Sequence, residues 1–293
     1  MLFSIITPSF RNSEWLKLCV ASIADQGVPL EHLVQDSCSD DGTQDWLPHD
    51  PRVQAFIEKD QGMYDAVNRG LRRATGDLLA YLNCDEQYLP GTLAAVREYF
   101  ERNPGIEVVF ADAIVVSPHG EYLCHRRASV PGLYHSWVSG NLSFLTCATF
   151  FRRSLLDRHG IFFNPKLRAV GDVEWALDLI RKKVSMGVLD RFTSVFTETG
   201  ENLSLHPGVQ KEKTDLWGRA PWWAGRTRPL ITAHYRMRRL LAGHYAAGKP
   251  FGFSLYTRKS PKARIRVQVD QPTFRWVRWT APARLTPDPG PGP

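Results

Sequence analysis

Residues 60–93 read DQGMYDAVNRGLRRATGDLLAYLNCDEQYLPGTL. From about Met63 to Ala74, the apolar residues Ala66, Val67, Leu71 and Ala74 recur at helical spacing, which predicts an amphipathic helix. Asp77–Leu82 follows as a compact apolar run of strand length and stops on Asn83, Cys84, Asp85 and Glu86. A second helix is predicted from Pro90 to Arg102, with Leu93, Val96, Tyr99 and Phe100 turned inward. Helix, buried strand, acidic strand end, helix is the repeating unit of an α/β sheet.

Working outward, the same alternation continues. Leu2–Ile6 is a strand rich in β-branched residues, ending at Thr7-Pro8-Ser9, and Ser13–Asp25 carries Leu16, Cys19, Val20 and Ile23 at helical spacing. His32–Gln35 reads as a strand ending at Asp36, and Val53–Glu58 as a third. Several short strands are expected between Ile106 and Thr149, and a helix over Asp172–Lys183 with Asp172 and Glu174 in its first turn. Ligands of such sheets bind beyond the carboxyl ends of the strands. That places Thr7-Pro8-Ser9, Asp36 and Asn83–Glu86 at the candidate site.

The chain carries no G-x-x-x-x-G-K-[ST], G-x-G-x-x-G, H-E-x-x-H or G-x-S-x-G pattern. Phosphate chemistry would therefore use basic side chains, or carboxylates with a metal. Asp85 and Glu86, with Asn83 beside them, offer the hard oxygen donors that Mg2+ and Mn2+ prefer. Carboxylates after a strand can equally do no more than solvate a turn.

In combination these segments resemble glycosyltransferase family 2, the inverting nucleotide-sugar transferases with the GT-A fold. The opening strand with TPSF (7–10) and QDSCSDDGT (35–43) are similar to that family's nucleotide-binding start. Residues 60–77 are similar to its next signature, 82–93 to the block holding its D-x-D-type metal motif, and GDVEW (171–175) to its acceptor-side E-D block. The match runs from about Phe3 to Ser204.

The resemblance implies a mostly parallel Rossmann-like sheet flanked by helices, in a catalytic domain over 1–204. Its nucleotide-binding half would cover about 1–105 and its acceptor half about 106–204. By the same resemblance Pro8, Ser9, Asp36, Asp65 and Asn83 would serve the nucleotide, with Asp36 reading the base. Asp85, with Glu86, would hold Mn2+ or Mg2+, and Asp172 would be the general base. The implied activity is transfer of one sugar, with inversion, from a nucleotide-sugar donor, a UDP-sugar foremost. The acceptor would be a glycan or lipid-linked molecule, in bacterial surface polysaccharide biosynthesis. Two positions depart from the family pattern: Asn83 stands where many members have Asp, and Gly171 replaces the usual Glu, leaving Glu174 as a rival base.

The net charge of +7 divides unevenly. Residues 1–204 carry 20 basic and 26 acidic side chains, whereas residues 205–293 carry 17 and 4. Residues 205–279 read as a basic, mainly helical extension, and 280–293 as a disordered Pro/Gly tail. In the extension, 229–245 is a candidate helix with Leu230, His234, Met237 and Leu241 on one stripe and Arg228, Arg236 and Arg239 on another. Such a segment suits an anionic membrane surface or a partner subunit. Nucleic-acid binding through this basic part is the least favoured class, and a catalytically inactive nucleotide-sugar-binding protein is the other alternative.

Five widely spaced cysteines suggest neither zinc nor a disulfide framework, and no run reaches the ~18 apolar residues of a membrane span. The expected location is cytoplasmic, with peripheral attachment to the inner membrane face as an option. His206 is a further candidate metal ligand. Gly62, Gly70 and Gly76 read as turn or cap positions, and Tyr64 and Asn68 as residues shaping a helix start. QPTFRW (271–276) is one residue too long for the Q-x-x-R-W motif of processive synthases.

Overall fold

The computed structural model describes residues 1–139, 142–200, 209–246 and 248–276. Its first strand, β1 (Phe3–Ser9), is buried along its whole length. Alternate side chains enter two different cores, Phe3 and Ile5 on one face of the sheet and Ile6 on the other. Helix α1 (Ser13–Ala24) covers the first face through Cys19 and Ile23, then β2 (Leu30–Asp36) runs parallel to β1. A short α2 (Thr43–Trp46) and β3 (Gln54–Ile57) complete that flank.

Helix α3 (Met63–Arg73) crosses the opposite face, and β4 (Leu78–Tyr81) pairs with the free side of β1. The short β5 (Gln87–Tyr88) follows, and α4 (Thr92–Arg102) packs Leu93, Val96 and Phe100 beside α1. Leu78 and Ala80 face that core while Leu79 and Tyr81 face the α3 core. The predicted elements of this half are all present, within a few residues.

The second half departs further from expectation. Strands do fill part of 106–149, but the first, β6 (Val108–Val116), is a nine-residue, fully buried strand, and a helix stands at Leu133–Ser139. Asp112 interrupts the apolar run of β6, and the structure accommodates it: the carboxylate accepts from the Arg127 guanidinium and the Ala128 N–H, each at 2.8 Å. Burial still pushes the Asp112 carboxyl up to about 6.

Strand β7 (Tyr122–Arg126) pairs with β6, followed by α5 (Leu133–Ser139), β8 (Thr149–Arg152), α6 (Ser154–Asp157), α7 (Gly171–Arg181) and the twelve-residue β9 (Met186–Thr197). The nine-stranded sheet has the order β3-β2-β1-β4-β8-β6-β9-β5, with β7 beside β6. Its first four strands are parallel and the remainder is mixed. Gly70 lies inside α3 rather than at a turn: a Cβ there would come within 2.5 Å of Ile6, so its absence lets α3 sit down on β1.

The extension is only partly helical. Helices α8 (Val209–Gly218), α9 (Trp222–Arg226) and α10 (Arg228–Leu241) are followed by an antiparallel hairpin, β10 (Phe251–Thr257) and β11 (Ser260–Val269). Phe253, Leu255 and Val269 pack on Leu89, Ile114, Val116 and Val195 of the main sheet. Arg264 grips Asp25 with two bonds of 2.6 and 2.7 Å, and Tyr256 donates to the same carboxylate at 2.9 Å. Burial of one face drives this docking, and the charged clamp fixes its register on α1. Helix α8 packs Leu216 against Val170 and, in α7, Val173 and Leu177, so the extension and residues 106–204 share a core. His206 and residues 280–293 lie outside the described residues.

Candidate active site

From β1 the chain crosses through α1 to β2 on one flank and later returns through α3 to β4 on the other. Their carboxyl ends therefore border a topological switch point, where α/β sheets open a crevice. Pro8 and Ser9 end β1 and are buried, and the Ser9 Oγ has no hydrogen-bond partner among the described residues. At the end of β2, Asp36 is fully buried, and its two oxygens accept from the Ser39 N–H (2.8 Å) and Ser39 Oγ (2.6 Å). Arg11 pairs with Asp40 at 2.6 and 2.7 Å, which joins the β1 and β2 loops across the mouth.

At the end of β4 the turn 83–86 is closed from within. The Asn83 N–H donates to Glu86 Oε2 (2.9 Å), and the Glu86 N–H donates to the Asn83 carbonyl (3.0 Å). Asn83 Oδ1 and Glu86 Oε1 are buried without partners among the described residues. Asp85 is half-buried, beside Glu86 beneath it. Burial raises both carboxyls above their ordinary range, and the Asp85 charge raises Glu86 further.

Two crowded acids and unpartnered oxygens fit a hard divalent cation that takes one or two protein carboxylates and fills its shell with phosphate oxygens. Among the described residues no group of three or more His, Cys, Asp and Glu is assembled as an all-protein cage.

Asp65 is spent locally. It accepts from the Gln61 N–H at 3.0 Å and pairs with Arg69 at 2.9 Å, which fixes the entry to α3. Asp172 stands in the first turn of α7, where the exposed helix N–H groups favour an anion. Its N–H donates to the Tyr64 hydroxyl (3.2 Å), and its Oδ1 accepts from the Val173 N–H (2.8 Å). Burial outweighs these bonds and pushes the Asp172 carboxyl up to about 6. The rival Glu174 is fully occupied, with Oε2 taking the Asn164 amide at 2.7 Å and Oε1 paired with Arg219, just after α8.

The 60–77 segment also reaches Phe163, in the second half of the sheet domain. Tyr64 stacks on Phe163 with centroids 5.5 Å apart. Buried Asn68 donates to the Phe163 carbonyl (2.7 Å) and accepts from its N–H (3.0 Å). Removing that amide would orphan two buried backbone groups, at about 1–3 kcal/mol each. Glu212 of α8 accepts from the N–H groups of Arg168, Ala169 and Val170 at 2.8–3.2 Å, holding the segment that leads into α7. Glu212 and Arg219 carry no local motif, and only the fold shows their link to the Asp172 helix.

The departure at Gly171 has a steric reason. A Cβ at that position would lie 2.5 Å from the Tyr64 ring, so tyrosine occupies the space a glutamate stem needs. Gly171→Glu is expected to displace Tyr64, destabilise the protein by about 1–3 kcal/mol and depress transfer more than donor binding. Thermal melting and steady-state kinetics check this; unchanged melting and turnover would contradict the packing.

Residues 4–160 match the family model described as Glycosyl transferase family 2. A Mycobacterium bovis protein named PGL/p-HBAD biosynthesis glycosyltransferase is 35% identical over 182 residues, covering 58% of this chain and 66% of its own length, just under two thirds. The S. aureus TarS 1–349 structure with UDP-GlcNAc superposes with TM-score 0.58 at 18% identity, covering 82% of this chain and 73% of that one. The Pyrobaculum calidifontis mannosyltransferase PcManGT, solved with GDP-Man and Mn2+, gives TM-score 0.52 at 20% identity, over 83% and 79%. At those identities the two structures share the fold with this chain. Among the described residues no helix is long and apolar enough to cross a membrane. With more than half of its length inside the family model, the chain belongs to glycosyl transferase family 2.

Proposed function

We propose that this glycosyltransferase moves one sugar from a nucleotide-sugar donor, a UDP-sugar foremost, to a hydroxyl of a glycan or lipid-linked acceptor. The transfer inverts the anomeric centre and serves surface polysaccharide synthesis at the cytoplasmic face. One observation carries the reading: the 60–77 segment, which runs directly into the strand leading to Asp85, meets the Asp172 helix through Tyr64 and the Phe163 backbone through Asn68. An acceptor base and a diphosphate-side carboxylate are thereby held in one frame. The ligands of TarS and PcManGT, UDP-GlcNAc and GDP-Man with Mn2+, support a nucleotide sugar and a cation.

In this reading Pro8, Ser9 and the Asp36 loop border the nucleoside. Ser39 spends the Asp36 carboxylate on loop shape, so Asp36 acts on the base chiefly by fixing residues 36–39. Asp85 would hold the cation, with Asn83 beside it, while buried Glu86 sets the turn from below. A bound Mn2+ or Mg2+ would supply charge stabilisation for the leaving diphosphate. Asp172 takes the acceptor hydroxyl's proton as that oxygen attacks the anomeric carbon. Glu174 is the weaker base, because a guanidinium and an amide already occupy its oxygens.

The test is nucleotide release from a panel of UDP-, GDP- and TDP-sugars with Mn2+, read by mass spectrometry. Turnover of at least one donor, abolished by EDTA, is expected. Silence across the panel, or turnover indifferent to EDTA, would overturn the proposal.

A further inference from the structure

Helix α10 packs in an unusual sense. Its inward side is Tyr235, stacked on His135 of α5 with centroids 3.4 Å apart, and Arg239, which is buried. Its apolar stripe faces out: Leu230 is 71% exposed, Met237 54%, Leu240 56% and Leu241 81%. These positions, with Ala233 and His234 between them, fall on one side of a 3.6-residue helix. Trp222 of α9, 78% exposed, extends the patch towards the N-terminal end.

Arg226, Arg228, Arg236 and Arg238 flank the stripe and are exposed. Arg226 lies over the Trp222 ring and Arg228 over the Trp217 ring, each at 5.3 Å, so charge and aromatic surface sit at one level. An open groove of about 630 Å3 runs along the same helix, lined by Arg228, Arg236, Met237 and Leu240 among others. Twelve Lys and Arg residues and no Asp or Glu stand between Asp215 and Asp270.

We propose that the outward face of α10, with Trp222, docks flat on an anionic phospholipid bilayer. The apolar side chains would enter the acyl boundary, and the flanking guanidiniums would meet lipid phosphates. Charge complementarity selects this occupant. A second copy of the chain would bring the same four arginines against these, with no carboxylate to meet them, and an isologous contact would be repulsive. Exposed tryptophan beside a leucine stripe is also what the membrane–water interface favours. Helix α10 rests on α5, which contacts α7, so docking would bring the Asp172 helix close to the lipid surface. The proposal stands independently of the donor and of the chemistry above.

Flotation of the full chain with phosphatidylglycerol-containing and with pure phosphatidylcholine vesicles tests it. Two variant sets are compared, Leu230→Glu with Met237→Glu and Leu241→Glu, and Arg226→Gln with Arg228→Gln, Arg236→Gln and Arg238→Gln. All these sites are exposed, and thermal melting verifies that the variants fold. Wild type is expected to float with the anionic vesicles only, and each variant set to partition at least about tenfold less. Failure of wild type to float, equal flotation on both vesicle types, or variants that float as wild type does would each overturn it. Co-purification with an acidic protein, without flotation, would also overturn it and assign the face to a protein partner.

Discussion

Asp172→Asn is expected to lower kcat by about 10²–10⁴-fold, the usual worth of a positioned general base, with donor affinity nearly unchanged. The substitution keeps shape and the Val173 contact but removes the proton acceptor. A pH signature accompanies it. Burial pushes the wild-type carboxyl up to about 6, and only its ionised form accepts a proton. The rate of the wild type should therefore fall as pH drops through about 6 and level off above it. In Asp172→Asn the residual rate should lack that limb. Glu174→Gln should leave the limb in place, since the Glu174 oxygens are held by Arg219 and Asn164. Steady-state kinetics from pH 5 to 8, roughly the range over which such a group titrates, check both statements. A fully active Asp172→Asn protein would remove this residue as the base.

Asp85→Asn is the second large effect. A cation held there, as proposed, would be worth several kcal/mol of transition-state charge stabilisation, so kcat/KM should fall on the order of 10²–10³-fold. Raising Mn2+ should recover part of the loss if Asn83 and the diphosphate still offer oxygens. The variant should not lose stability, because Asp85 and Glu86 are crowded like charges whose burial is costly in the absence of a cation. Unchanged kinetics in Asp85→Asn, or a collapse of thermal stability, would contradict its assignment to the cation.

The first half of the fold was legible because its strands are buried on both faces and its helices carry clean apolar stripes. Ile5 and Ile6 entering opposite cores is what such a strand demands. β9 was missed because polar, exposed Asp190 and Arg191 interrupt its apolar residues. The hairpin β10–β11 did carry a period of two, in Phe251, Phe253 and Leu255 and again in Ile265, Val267 and Val269. Its many Arg and Lys residues masked that signal, and the extension read as helical.

The carboxylates at strand ends and at the start of α7 were readable by type and place. Their supports were not. Tyr64 reaches Asp172 across 108 residues, and Glu212 reaches Arg168 across 44. Contacts of that separation leave no local pattern. The preference for Asp172 over the rival Glu174 gains support from Arg219, which lies beyond the expected domain boundary and pairs with Glu174.

The division of labour between the two carboxylates is open to a single calorimetric comparison. The nucleoside diphosphate selected by the donor screen is titrated, with and without Mn2+, into wild type, Asp172→Asn and Asp85→Asn. Binding to Asp172→Asn should match wild type and strengthen with Mn2+ to the same degree, while Asp85→Asn should lose that strengthening. Equal loss in both variants, or full Mn2+ dependence retained without Asp85, would contradict a cation held at Asp85 and a base acting separately at Asp172.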